Sequence, residues 1–516
     1  MTKRFIVLLA GMLLLAGVAE AQNLLRNPGF ETPEGATGVA MWIKPNYWGG
    51  EMASVLDAAR AKGGKRLVRL TAQAAQGRHW SRMHSIPVPV TFGLNYRLSV
   101  WAQGTGAVKL GIIGYWKDAE GKQQYESRWQ PQGLPLTDQW QLAAYDFPVP
   151  RAEVETVAVM IEIEGEGAVA EVDEAGLEVT RKAEGLLTCT PTYVMVPAGE
   201  KVTLSVKALS QGQPLAGGEV AVTGHDGTAR VDSTLSLGAE GSAAQQVTTP
   251  AQAGQLLKLN FVQADLGAAV TCHLDVVSPE VYQAFATAAA ASKVRAPGHV
   301  LFLGDSLTDF LRGYNYVDQI GFWLQKVHGP EVSVKNAGVG GDFITRVWQR
   351  LSGAAGVHRP EMYHNLLQPK PDRIFIFLGH NDSKLSSGSE FTKPTVLPDD
   401  YLADYRKVIE KLRVESGAQI TLLSPTSSVY EITRPMAERL LAQRGSASLF
   451  GKPEVMAQFT DLTRQVAREM QCGFVDVYEP TLKHPDKPSL FTQDGVHMTL
   501  AGNHVVALEL LKYLGQ

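Results

Sequence analysis

The sequence predicts a three-part chain, two β-sandwiches followed by an open α/β domain, within 516 residues. Three observations carry this. Short alternating runs broken by Gly and Pro fill residues 22–182, and seven of the nine tryptophans lie there. Over residues 183–278 the aromatics thin out while Thr, Val, Gly and Ala keep alternating. From Val300 onward, short apolar runs alternate with stretches of helical period, the pattern of buried parallel strands joined by helices. A chain of this length exceeds one ordinary hydrophobic core, so a division is expected on size alone.

The first element precedes all three parts. Lys3 and Arg4 lead into an apolar run from Phe5 to Val18, followed by Ala19-Glu20-Ala21. This is the layout of a secretory signal peptide over residues 1–21, cut before Gln22, and it predicts a secreted or periplasmic protein. The run is too short for a membrane anchor, and no later segment is long and apolar enough to span a bilayer. Net charge is -4 and Lys and Arg form no run, so the footprint of a nucleic-acid partner is missing.

The first sandwich, residues 22–182, is read from stretches such as Tyr96 to Trp101 and Val157 to Ile163, taken as alternating strands. Trp101 and Trp140 lie in strand patterns and are assigned to the core. Tyr47, Trp48, Trp80, Trp116 and Trp129 lie nearer turns and are the candidate carbohydrate-binding residues, because the apolar face of a sugar ring stacks on aromatics. The opening Asn23-Leu24-Leu25-Arg26-Asn27-Pro28-Gly29-Phe30-Glu31 and the closing Val172-Asp173-Glu174-Ala175-Gly176-Leu177-Glu178-Val179 resemble the ends of jelly-roll carbohydrate-binding modules of the galactose-binding-like type.

The second sandwich, residues 183–278, has the strand spacing of an immunoglobulin-like fold, with turn signals at Gly212-Gln213-Pro214 and Gly224-His225-Asp226-Gly227. No chemistry is visible in it, and a spacer role is expected. Cys189 and Cys272 sit near its two ends; a staple between its first and last strands and a pair of buried free thiols both remain open. Cys472 is the third cysteine, and no zinc-ligand spacing occurs.

The third part, residues 279–516, opens with a predicted helix over Glu280–Ala291. Its buried strands are predicted at Val300–Leu303, Ile374–Leu378, Ile420–Leu423 and Phe474–Val477. Ligands of such sheets bind beyond the carboxyl ends of the strands, which is where the chemistry-bearing residues fall. Gly304-Asp305-Ser306-Leu307-Thr308-Asp309 follows the first strand; a serine on a tight strand-to-helix turn is exposed at the sheet edge. Asn336-Ala337-Gly338-Val339-Gly340-Gly341-Asp342 is expected after the next strand, and Gly379-His380-Asn381-Asp382 ends the one after. Asp494-Gly495-Val496-His497 lies near the C-terminus, with a spacing that lets one turn present both groups. No Gly-x-Ser-x-Gly elbow is present.

These four blocks, in this order, resemble those of the SGNH (GDSL-like) hydrolases, a superfamily with a flavodoxin-like parallel sheet. The resemblance implies Ser306 as nucleophile, His497 as general base and Asp494 as its orienting carboxylate. It implies an oxyanion hole from the backbone N–H groups of Ser306 and Gly341 and the side-chain amide of Asn381, with Asn336 shaping the turn. Asp342 and His380 flank the site and are expected to be structural. Ser383–Pro398 and Tyr430–Pro453 lie outside the minimal pattern and are expected to shape specificity. The reaction needs no metal or organic cofactor. Joined to a signal peptide and a sugar-binding-like module, the domain implies an O-acetylesterase acting on acetylated polysaccharide or oligosaccharide. The alternatives are a lipase, lysophospholipase or arylesterase and, from another class, a non-catalytic carbohydrate-binding surface protein.

Overall fold

The computed structural model describes residues 23–516 apart from 36–37, 45–49, 76, 93, 118–122, 150–153, 181–184, 226–229, 355 and 358. Residues 1–21, which the sequence pattern assigns to a signal peptide, lie outside the described residues.

Residues 33–179 form two antiparallel sheets of ten and five strands. Alternation drives them together: along Asn95–Gly104, Tyr96, Leu98, Val100 and Ala102 are buried in the core between the sheets, and the residues between them face outward. Thr156–Glu164 departs from the alternating expectation, being buried on both faces. It lies inside the larger sheet, and its outward Glu162 is covered by Arg78 and Arg82, which bond both carboxylate oxygens. Residues 185–277 form a second all-β unit of four- and five-stranded sheets around a core of Val, Leu and Ala with Phe261. Cys189 and Cys272 are free thiols there, both turned to the carbonyl of Pro191 at 3.8 and 3.4 Å.

The helix Pro279–Ala290, capped by Ser278, leads into a five-stranded sheet whose neighbours all run parallel. Its strands are Gly298–Gly304, Val332–Gly338, Arg373–Phe377, Gln419–Leu423 and Gly473–Val475, in the spatial order second, first, third, fourth, fifth. The order reverses between the first and third strands, and a crevice opens beyond their carboxyl ends at such a switch point. Two apolar cores cover the two faces, one built on Phe302, Tyr316 and Trp323, the other on Leu303, Ile376 and Tyr405. The second strand is an edge with polar Ser333, Lys335 and Asn336, so it lacked the apolar run that marks the others. The second sequence block therefore starts inside this strand.

Candidate active site

Ser306 is the first residue of a single helical turn, Ser306–Asp309, that begins directly after the first strand. Asp305 caps the turn by accepting the Leu307 N–H at 2.9 Å, and the Ser306 side chain is left at the sheet edge, 7% exposed. From the other end of the chain, the turn before the last helix brings His497 Nε2 to 2.9 Å from Ser306 Oγ. Its other ring nitrogen, Nδ1, lies 2.5 Å from Asp494 Oδ2. Asp494 Oδ1 accepts the Val496 and His497 N–H groups and the Thr492 hydroxyl, all at 2.8–2.9 Å. Burial raises the Asp494 carboxyl, but the bonds from the His497 ring, these two N–H groups and Thr492 outweigh it and hold the group well below the ordinary carboxylate range. An acceptor so fixed keeps the imidazole in the tautomer with its proton on Nδ1, leaving Nε2 free to take the serine proton. Phe310 stacks on the His497 ring at 4.8 Å, which restrains the ring from a second side.

The other predicted residues lie at or beyond the carboxyl ends of the strands on either side of the Ser306 strand. Asn336 donates to the Thr308 carbonyl at 2.7 Å and accepts the Gly338 N–H at 3.0 Å, tying the second strand to the serine turn. Gly341 has φ +81, and a Cβ there would meet only Arg346 Nη1 at 3.8 Å. Backbone conformation, rather than crowding by the protein, is what calls for glycine. Asn381 is buried in the one-turn helix His380–Ser383 after the third strand, beyond the reversal from Ser306. Asp342 and His380 both turn inward. Asp342 pairs with Arg350, both side chains fully buried. His380 Nε2 accepts the Thr426 N–H at 2.9 Å, so its proton sits on Nδ1, 3.6 Å from Asp305 Oδ2.

Three supports carried no signal in the sequence. Asp309, inside the first block, accepts from Arg312 through Oδ1 and from the Gly340 N–H through Oδ2, while Arg312 also reaches the carbonyls of Asn336 and Gly338. Asp382 accepts the Gly379 and Ile344 N–H groups; burial, with the charge of Asp305 adding to it, pushes its carboxyl up to about 7. The two extra loops also meet each other. Leu385–Ser386 pairs antiparallel with Ser448–Leu449 over a small core of Leu385, Ala437 and Leu449.

The aromatic candidates of the first unit do not form an exposed platform among the described residues. Tyr47 and Trp48 lie outside them. Trp80 is 2% exposed between the guanidinium groups of Arg78 and Arg82, Trp116 packs against the core, and Trp129 lies half-buried on Arg82. Trp101 and Trp140, assigned to the core from sequence, lie outside it. Trp101 is on the outward-facing half of its strand with the Lys62 ammonium 4.0 Å from its ring, and Trp140 donates its indole N–H to the Arg60 carbonyl. Arg60, Arg69, Gln103, Asp138 and Glu171 line a cleft of about 530 Å³ on this outer face.

Residues 302–505 match the GDSL-like lipase/acylhydrolase family, and this part of the chain is a GDSL-like lipase/acylhydrolase domain. A GDSL esterase/lipase of Oryza sativa subsp. japonica is 22% identical over 148 residues, 28% of this chain. The chain spans about half the length of that curated relative, 54%. Among solved structures, a lipase/acylhydrolase from Enterococcus faecalis is 18% identical, covering 42% of this chain and 95% of its own with TM-score 0.32. An acetylxylan esterase from Geobacillus stearothermophilus, solved as a catalytic mutant, is 22% identical over 43% of this chain and 96% of its own, TM-score 0.33. TmCBM61, solved with β-1,4-galactotriose, is 19% identical over 31% of this chain and 99% of its own, TM-score 0.22.

Proposed function

We propose that this chain is an exported serine esterase that removes acetyl groups from polysaccharide. The observation that carries the esterase reading is the hydrogen-bonded line Asp494–His497–Ser306 at the switch point of the sheet. Ser306 Oγ attacks the ester carbonyl as His497 Nε2 takes its proton. The oxyanion is met by the N–H groups of Ser306 and Gly341 and by the Asn381 amide. His497 returns the proton to the leaving alcohol, and water then hydrolyses the acyl-serine by the same relay in reverse order. The relay is open to solvent, His497 being 31% and Asp494 35% exposed by side chain, which suits an acyl group carried on a polymer.

The acetyl and polysaccharide parts of the reading rest on the signal-peptide pattern of residues 1–21 and on the carbohydrate-module resemblance of residues 22–182. We assign residues 22–182 to a jelly-roll-like module, 183–278 to an immunoglobulin-like spacer supported by its two packed sheets, and 279–516 to the catalytic domain. The test is acetate release from a panel of acetylated polysaccharides, run beside soluble esters of increasing acyl length, for wild type and Ser306→Ala. Acetyl esters are expected to be turned over fastest and only by wild type. A clear preference for long acyl chains would move the reading to a lipase, and an inert wild type would leave a sugar-binding surface protein.

A further inference from the structure

Lys384 opens the first of the two extra loops, and the serine relay makes no use of it. Its backbone carbonyl is fixed by the Thr395 N–H at 3.0 Å and hydroxyl at 3.2 Å. Its side chain is half-buried, with Nζ 3.3 Å from Asn381 Oδ1 and 5.6 Å from the centre of the Phe450 ring. Phe450 belongs to the other extra loop, directly after the Ser448–Leu449 strand that pairs with Leu385–Ser386. The two loops thus hold one ammonium group against one amide.

An ammonium has hydrogens and no lone pair, so it can face only the oxygen of an amide. The Asn381 side chain is thereby given one of its two flips: Oδ1 toward Lys384, and the two N–H donors turned away from it. The direction matters for the chemistry. In the opposite flip, the same side chain would present an oxygen to the developing oxyanion, replacing an attraction by a repulsion.

We propose that Lys384 is a positioning residue that locks the Asn381 amide with its donors presented to the oxyanion. This rests on the esterase reading of Ser306 and deepens it by giving the first extra loop a task in the oxyanion hole.

The experiment uses the full chain and p-nitrophenyl acetate. Lys384→Met is expected to lower kcat about tenfold or more, with KM within about twofold and the melting temperature unchanged, because the lost orientation acts on the transition state. Lys384→Arg, whose guanidinium also only donates, is expected to restore most of kcat. Asn381→Ala is expected to cost about a hundredfold or more, and adding Lys384→Met to it should change nothing further. Unchanged kcat in Lys384→Met overturns the proposal. So do losses that multiply in the double variant, since Lys384 would then act without Asn381. If the Met variant unfolds, Lys384→Leu, which likewise cannot donate, in the same two backgrounds decides by the same criterion. A wild type inert on every ester overturns this proposal and the esterase reading together, whereas an active wild type with an indifferent Lys384 overturns this one alone.

Discussion

At the scale of single residues, the Ser306–His497–Asp494 line gives the sharpest expectations. Ser306→Ala and His497→Ala should each remove nearly all turnover of p-nitrophenyl acetate with the melting temperature preserved, since both side chains end at the sheet edge. Asp494→Asn should lose about 10³–10⁴ in kcat, because an amide in place of the carboxylate no longer holds the proton on Nδ1. Asp494 stays ionised in neutral and mildly acidic solution, its carboxyl being held far below the ordinary carboxylate range. These residues were legible because their chemistry demands particular residue types at short spacing: a serine after a strand, and Asp-x-x-His on one turn. Lys384, Arg312 and Asp309 were not, because what they do depends on which carbonyl or amide they meet after folding, as when Arg312 reaches Asn336 and Gly338 across 24 and 26 residues. Trp101 failed for a related reason. Period-2 alternation says that neighbours face opposite ways, but which side is the core depends on the partner sheet.

At the scale of elements, the carboxyl end of the third strand carries two expectations. Gly379 has φ +125, and a Cβ there would lie 3.1 Å from the Pro425 ring. Gly379→Ala should therefore cost about 1–3 kcal/mol in thermal unfolding and lower kcat too, since Asn381 stands two residues on. Asp382, bonded to the Gly379 and Ile344 N–H groups, titrates at about 7 when folded, against roughly 3.9 when free. Its protonated form thus stabilises the fold fully below about pH 4, and that contribution is lost as pH rises to 7. The melting temperature should fall more steeply between pH 5 and 8 in wild type than in Asp382→Asn; equal slopes would show that Asp382 is not the group responsible. Three of the four strands read from continuous apolar runs were legible because a parallel sheet buries both of their faces, and the fourth, Gly473–Val475, is an edge whose Phe474 and Val475 still pack against the two cores. The Val332–Gly338 strand was not, since an edge tolerates Ser333, Lys335 and Asn336. Nor did any local pattern mark the pairing of the two extra loops, which rests on two residues from each, more than sixty positions apart.

At the scale of the whole molecule, the two boundaries drawn from composition are physically unequal. Across the first, Val262 and Ala269 of the middle unit pack against the core of the N-terminal sheets. Across the second, Tyr193, Met195 and Val277 share a single core with Phe285, Tyr316 and Trp323, and the Tyr193 ring meets Phe322 edge-on at 5.9 Å. A buried carboxylate ties that junction: Asp275 Oδ2 is bonded by the Tyr193 hydroxyl at 2.6 Å and lies 2.5 Å from Nε2 of His504, on the C-terminal helix. The His273 ring also meets that of Tyr314, a few residues beyond the serine turn, at 4.8 Å and a tilt of 45°. Composition shows where one kind of strand gives way to another, but it is silent on how much surface two units bury together. A chain beginning at Gly185 should therefore melt and hydrolyse p-nitrophenyl acetate as the full chain does. One beginning at Pro279 should be less stable by on the order of 3 kcal/mol, because it uncovers Phe285, Phe322 and Trp323 and leaves His504 without its carboxylate. Acetate release from acetylated polysaccharide separates a further effect. If residues 22–182 hold the polymer, the Gly185 chain should already lose rate there, since tethering raises the effective concentration of acetyl groups at Ser306. Equal stability of the two truncated chains would mean that the shared core contributes nothing, and undiminished polymer activity from Gly185 would make the N-terminal unit a spacer.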